Sequence, residues 1–291
     1  MTILVTGASG QLGRHVVDSL LSRGVAASDI VAGVRTPSKA APLADLGVQL
    51  ATLDYLDAES VANALDGVDT VLLISGSDVG QRFAGHKNVI DAAQKAGVTK
   101  FVYTSAPKAT TFDYALGAEH RATEEALAAS NLPVVVLRNN WYTENYTQDV
   151  LGAAESGVIA AAVGDAKVAS ASRKDYADAA AVVLTEDGHI GRTYELAGDA
   201  SWTYTELAAT ASEVLGREVT YTSLTAEQRQ EALEGFGLPA EIAGFVTGID
   251  TAIAGGVLAD TDGTLSALIG RPTTPLLEGL RTEVEAARVQ A

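Results

Sequence analysis

The sequence predicts an α/β protein: a doubly wound parallel sheet with helices on both faces, and a smaller, mainly helical C-terminal lobe. Three observations predict it. Short, continuously apolar runs alternate with segments of helical periodicity through the larger part of the 291 residues. Such runs are the mark of strands buried on both faces. A glycine-rich turn joins the first apolar run to the first helical segment, and the texture changes to a polar, aromatic loop after Arg138.

Taken in order, residues 2–6 (TILVT) read as the first buried strand. Residues 11–22 carry Leu12, Val16 and Leu20 at helical spacing and read as the first helix. Residues 30–34, 48–53, 70–74, 101–104 and 133–137 are the next strands, with helices between them at 58–65, 81–96 and 118–129. Right-handed crossovers connect parallel strands of this kind. Beyond the loop NNWYTENY come a helix near 175–185 and a strand at 193–196. Thr203-Tyr-Thr-Glu206 and Thr225-Ala-Glu-Gln228 are capping boxes, and Gly270-Arg-Pro272 punctuates the last two helices. The expected division is a nucleotide-binding domain of residues 1–140 and 160–200, a second lobe of residues 141–159 and 201–291, and a cleft between them.

Composition narrows the function. Hydrophobic residues make up 47% and charged residues 20%, as in an ordinary packed globule. No apolar run approaches the roughly 20 residues of a membrane span. The N-terminus, MTILVTGASG, lacks the basic start and apolar core of a signal peptide, so the expected localisation is cytoplasmic. There is no cysteine, which excludes disulfides, thiolate catalysis and cysteine-based metal sites. His15, His86, His120 and His189 have no ligand-like spacing, so no metal is expected. The net charge of −17 repels phosphate backbones and anionic membranes, so neither nucleic acid nor membrane is an expected partner.

The segment Gly7-Ala-Ser-Gly10-Gln-Leu-Gly13 lies between the first strand and the first helix. Gly7 permits the tight turn, Gly10 lets the backbone approach a pyrophosphate, and Gly13 allows helix and strand to pack closely. The helix N-terminus presents unpaired N–H groups and a partial positive charge to the phosphates. Strand, glycine turn and helix in that order make this a Rossmann-type dinucleotide site formed by Gly7, Ala8, Ser9, Gly10, Gln11 and Leu12. The G-x-x-G-x-x-G spacing resembles the extended and atypical short-chain dehydrogenases.

The second strand ends Val34-Arg35-Thr36 and carries no acid there. An acid at that place holds the ribose hydroxyls of NAD, whereas arginine meets the 2′-phosphate of NADP with a forked, charge-assisted pair. The expected cofactor is therefore NADP(H), with NADPH preferred over NADH. Because ligands bind outside the carboxyl ends of strands, three more segments are expected along the cofactor. They are Asp54-Tyr55, Ser75-Gly76-Ser77 and Thr104-Ser105, all of which also fit plain turn chemistry.

Short-chain dehydrogenases commonly use Tyr-x-x-x-Lys, the tyrosine exchanging a proton while the lysine lowers its pKa. In the corresponding stretch here, Leu116 and His120 stand in those places. Hydride transfer to a conjugated acceptor needs a weaker proton shuttle, because the product anion is delocalised. His120, which ordinarily titrates in a useful range, is the candidate for contacting the nicotinamide ribose or the substrate oxygen; an ordinary helix-surface histidine is the other reading.

VTGASGQLG, LLISGSDVGQR, HKNVIDAAQKAGVTKFVYTS, LRNNWYTENY, ASASRKDYADAAA and YELAGD together resemble the NmrA-like atypical short-chain dehydrogenases/reductases. Within them the resemblance is to the type-2 NAD(P)H:quinone oxidoreductases and the triphenylmethane-dye reductases. It implies NADPH-dependent hydride transfer to a quinone, without flavin, in a cleft between two lobes. It implies that Arg138, Asn139, Asn140, Trp141 and Tyr142 line the nicotinamide and substrate side, and that Ser172, Arg173 and Lys174 lie at the far edge. Trp141, Tyr142 and Tyr146 also read from the residues alone as flat faces for an acceptor, or as anchors of the lobe. The expected partner is a small conjugated acceptor, a quinone or a dye. A redox sensor that binds NADP without turnover is the alternative. A homodimer is among the assemblies the exposed helices allow.

Overall fold

The computed structural model describes residues 1–290. Strand and helix alternate strictly at first: β1 (Ile3–Thr6), α1 (Gln11–Ser22), β2 (Ile30–Val34), α2 (Ala41–Asp45), β3 (Gln49–Thr52), α3 (Ala58–Ala64) and β4 (Thr70–Leu73). The pattern continues through α4 (Arg82–Ala96), β5 (Lys100–Ser105), α5 (Ala115–Ala128) and β6 (Val134–Asn139). Then come α6 (Thr147–Ser156), β7 (Val158–Ala161), β8 (Lys167–Val168), α7 (Arg173–Thr185), β9 (Thr193–Leu196), β10 (Trp202–Thr203), α8 (Tyr204–Leu215) and β11 (Thr220–Ser223). Four helices follow: α9 (Ala226–Gly235), α10 (Ala240–Ala254), α11 (Thr264–Ile269) and α12 (Leu276–Gln290).

Among the described residues the main sheet has seven strands in the order β3-β2-β1-β4-β5-β6-β9. The pairs are parallel, with Ile3 beside Ile30 on one flank and beside Thr70 on the other. The direction of winding reverses between β1 and β4, and ligands bind outside the carboxyl ends of strands at such a switch point. Every residue of β1, β2, β4 and β5 is buried, as a sheet covered on both faces requires. On one face Leu4, Val71, Leu73, Phe101 and Tyr103 pack with Val61, Val89, Ile90 and Leu127 from α3, α4 and α5. On the other, Lys100 donates from Nζ to the carbonyls of Val183, Leu184 and Glu186 at 3.1, 3.2 and 2.8 Å. Those are acceptors at the end of α7 that its own backbone cannot satisfy.

The chain forms two compact units. The first comprises Met1–Thr110, Leu116–Asn139 and Arg173–Glu195, and the second comprises Thr111–Ala115, Asn140–Ser172 and the chain from Leu196 on. Residues 160–172 thus belong with the second unit, not with the nucleotide domain where the sequence reading placed them. The reason is pairing: β7 lies parallel to β11, and β8 antiparallel to β10. Tyr146, Ile159, Trp202, Leu207, Ile253 and Leu280 share the core of this unit. Both expected capping boxes form, at Thr203 with Glu206 and at Thr225 with Gln228. Among the described residues no helix is long and apolar enough to cross a membrane.

Candidate functional site

The turn after β1 is built for a close backbone approach. Gly7 has φ +59°, which favours glycine, and the Gly10 N–H donates to its carbonyl at 2.9 Å. Ala8 N–H donates to the Gly33 carbonyl at 3.1 Å and ties the turn to β2. A Cβ at Gly13 would stand 2.4 Å from the Gly7 carbonyl oxygen and 2.7 Å from Ala8 Cα, so nothing larger than glycine fits. Gly10 caps α1 without a side-chain hydrogen bond, and the first turn holds no acid. The donors and partial positive charge of that helix start are unopposed, which suits a phosphate.

Arg35 directly follows β2 and is 67% exposed, with Nη1 3.6 Å from Asp78 Oδ2. The Asp54 carboxylate accepts from Leu56 N–H at 3.0 Å, so it caps a turn. Tyr55 lies beneath the glycine turn. Its hydroxyl is 2.6 Å from Thr6 Oγ1 and 2.7 Å from the Ile74 carbonyl, and so clamps the ends of β1 and β4 together at the switch point. Burial pushes this phenol well above its usual range, opposed by the Thr6 hydrogen bond and the Arg35 charge, so it stays protonated. Tyr55 supports the floor of the site from below, and its hydroxyl is spent.

The loop after β4 is anchored by groups that sequence reasoning missed. Gly76 N–H donates to His86 Nε2 at 3.0 Å, and Arg82 Nε donates to the Gly76 carbonyl at 2.6 Å. Gly80 N–H donates to Glu119 Oε2 at 3.1 Å, and Arg82 Nη1 lies 3.3 Å from the same oxygen. Ser75 N–H donates to Thr104 Oγ1 at 2.9 Å. A signal existed: His86, Val89, Ile90 and Ala93 fall on one helical stripe, which puts His86 on the buried face of α4.

Several expected contacts are corrected. His120 is neither on the surface nor titratable near neutrality. It is 5% exposed, its Nδ1 stands 2.7 Å from the Tyr103 hydroxyl, and burial first, with the Arg82 charge second, lowers its pKa to about 3. Arg138 is not a cation held ready for the cofactor. It grips Glu124 through Nε at 2.9 Å and Nη2 at 2.6 Å, Glu195 through Nη1 at 2.8 Å, and Thr110 through Nη2 at 2.8 Å. Ser105 Oγ donates to the same Glu124 at 2.6 Å, so Thr104 and Ser105 fix the framework with their hydroxyls. Asn140 donates to the Leu258 carbonyl at 3.2 Å and accepts from Trp141 N–H at 2.7 Å, which makes it a loop anchor. Asn139 closes β6 and Arg173 opens α7.

Within the second unit, Trp141, Tyr146, Tyr204 and Ile249 line a cavity of about 170 Å³ with Asp149, Arg229 and Asp250. Arg229 Nε donates to Asp250 Oδ2 at 3.1 Å. Burial raises the pKa of both carboxyls, and Arg229 opposes the rise. Tyr146 packs edge-on against Trp202, with centroids 4.9 Å apart, so it is core as well as cavity wall. Tyr142 forms a parallel bridge with Ala171. Phe236 is 84% exposed.

A family model described as NAD(P)H-binding matches residues 7–187, which spans the glycine turn and most of the first unit. The chain belongs to the NAD(P)H-binding family. Quinone oxidoreductase 2 of Escherichia coli (strain K12) is 48% identical over 278 residues, covering 96% of this chain and 97% of that protein. The crystal structure of an NADPH-dependent quinone oxidoreductase from Escherichia coli, complexed with NADPH, matches with TM-score 0.93 and 47% identity, over 97% of this chain and 99% of that one. The Citrobacter sp. triphenylmethane reductase complexed with NADP(H) matches with TM-score 0.92 and 38% identity, over 97% and 100%. The expected NmrA-like reductase membership therefore stands. For a member of the NAD(P)H-binding family the cradle fits its group: the helix start is uncapped, and a Cβ at Gly13 would fill the turn.

Proposed function

We propose that this chain is an NADPH-dependent reductase that passes a hydride to a quinone or a similar flat, conjugated acceptor. The observation that carries the reading is the uncapped start of α1 above a turn closed to side chains at Gly13, with Arg35 exposed at the end of β2. The 48% identity to a quinone oxidoreductase and the likeness to a triphenylmethane reductase support the acceptor class.

In this reading the backbone of Gly7, Ala8, Ser9, Gly10, Gln11 and Leu12 holds the pyrophosphate, and Arg35 takes the 2′-phosphate, which favours NADPH over NADH. Ser75, Gly76 and Ser77 border the ribose, and buried His86 and Arg82, with the partly buried Glu119, keep that border in place. Tyr55, Thr104, Ser105, Arg138 and Asn140 act as positioning residues. Asn139 belongs to the nicotinamide side, and Arg173 to its far edge. When bound, the reduced nicotinamide supplies a hydride, with neither flavin nor metal between it and the acceptor. Trp141 and Tyr142 offer flat faces to the acceptor, and Tyr146 backs them. His120 stays neutral above pH about 3, so it donates at most a hydrogen bond. The product anion is delocalised and takes its proton from water, which removes the need for a Tyr–Lys relay.

The test is oxidation of NADPH by the purified protein without added flavin, against quinones and dyes. Turnover supports the reading. Binding without turnover on any acceptor supports the sensor instead, which the reductase relatives do not favour.

A further inference from the structure

Arg35 and Asp78 form an ion pair, Nη1 to Oδ2 3.6 Å, with side chains 67% and 62% exposed. Asp78 stands in the loop between β4 and α4, and that loop is anchored on both sides of it. On one side Gly76 is fixed through its N–H to His86 and through its carbonyl to Arg82, at 3.0 and 2.6 Å. On the other, Gly80 is fixed through its N–H to Glu119 at 3.1 Å. Asp78 itself closes a turn, its carbonyl accepting from Gln81 N–H at 3.1 Å. Its carboxylate is thus carried by a short, doubly pinned span toward the guanidinium assigned above to the 2′-phosphate.

We infer that Asp78 competes with the 2′-phosphate for Arg35, and so sets how strongly the protein distinguishes NADPH from NADH. The inference rests on the proposed role of Arg35. A carboxylate and a phosphate want the same fork of donors, and the two anions repel each other. A dinucleotide without the 2′-phosphate has no reason to displace Asp78. The Arg35 charge is therefore held in place, and part of the gain from the phosphate is spent breaking an existing pair. Exposed pairs are weak and screened by salt, so the effect is modest and greatest at low ionic strength.

Calorimetric titration with adenosine 2′,5′-bisphosphate and with adenosine 5′-phosphate, at low salt, tests this without turnover. Asp78→Asn should tighten the bisphosphate about two- to fivefold and leave the monophosphate unchanged. The gain should shrink at high salt and vanish when Asp78→Asn is combined with Arg35→Ala. Unchanged or weaker bisphosphate binding in Asp78→Asn overturns the inference. A gain that persists in the Arg35→Ala background overturns it too, since it would then be long-range repulsion. A preference for the bisphosphate that survives Arg35→Ala alone removes the role of Arg35 on which the inference stands.

Discussion

The backbone N–H of Gly76 donates to Nε2 of His86 across 3.0 Å. A backbone N–H is always the donor, so Nε2 carries no proton and the ring is neutral with its hydrogen on Nδ1. That hydrogen meets Thr123 Oγ1 at 3.0 Å, and the threonine hydroxyl passes its own to the Glu119 carbonyl at 2.8 Å. Burial first, and the Arg82 charge second, lower the His86 pKa to about 3. A single neutral imidazole therefore ties a loop of the proposed cofactor site to two helices.

Protonating this ring must break the bond to Gly76, and burial above all keeps His120 neutral as well. Both folded values lie below the ordinary histidine value of 6.5, so the unfolded chain binds more protons between 6.5 and about 3. Stability from these groups is complete above 6.5 and is lost as pH falls toward 3, at about 1.4 kcal/mol per pH unit for each ring. Denaturant midpoints measured from pH 7 to 4 should fall more steeply in the wild type than in His86→Gln. Equal slopes would mean that His86 is not buried neutral.

The two glycines of the helix start should respond differently to alanine. At Gly13 a Cβ would overlap backbone atoms at 2.4 and 2.7 Å, so Gly13→Ala should cost roughly 1–3 kcal/mol of stability and abolish NADPH binding. At Gly10 the backbone is ordinary, φ −73°, and the added methyl would meet only the Gly7 carbonyl at 3.1 Å. Gly10→Ala should leave the melting temperature nearly unchanged while weakening NADPH binding about tenfold. Thermal melts and cofactor titrations separate the two. Undiminished affinity in Gly10→Ala would argue against a close backbone approach there.

Arg138 is assigned to the framework. Removing its grip on Glu124 leaves a largely buried carboxylate without its main partner, so Arg138→Ala should destabilise by about 3 kcal/mol. NADPH affinity, measured well below the melting temperature, should change less than twofold. A large loss of affinity with little loss of stability would return Arg138 to the cofactor.

If Trp141 faces the acceptor as proposed, its replacement separates acceptor binding from cofactor binding. Trp141→Ala should raise the Michaelis constant for flat acceptors several-fold while leaving the NADPH dissociation constant near that of the wild type, since stacking is lost on one side only. Steady-state kinetics beside direct cofactor titration measures both. Parallel losses would make Trp141 an anchor of its unit.

The strands and first helix were legible because buried parallel strands are continuous apolar runs; β2, β9 and α1 fall where the periodicity places them. The glycine turn was legible because Gly7 and Gly13 answer steric needs of the fold itself, a positive φ and a close backbone contact, in the right order between strand and helix. The groups that hold the site were not. His86, Glu119 and Glu124 come together only after α4 and α5 pack on the sheet, and a polar residue on a helix does not announce its partner. For the same reason Arg138 and Ser105 could be read as ligand contacts, although tertiary structure turns them toward Glu124. The small strands β7, β8, β10 and β11 escaped because they are short and their partners are far away in sequence.

The most direct test of the central claim is NADPH oxidation by the purified chain, without flavin, across a panel of quinones and conjugated dyes, with NADH in parallel. The account predicts turnover on at least one acceptor, with NADPH preferred about tenfold or more and the preference lost in Arg35→Ala. NADPH binding with no turnover on any acceptor, or turnover that favours NADH, would contradict it.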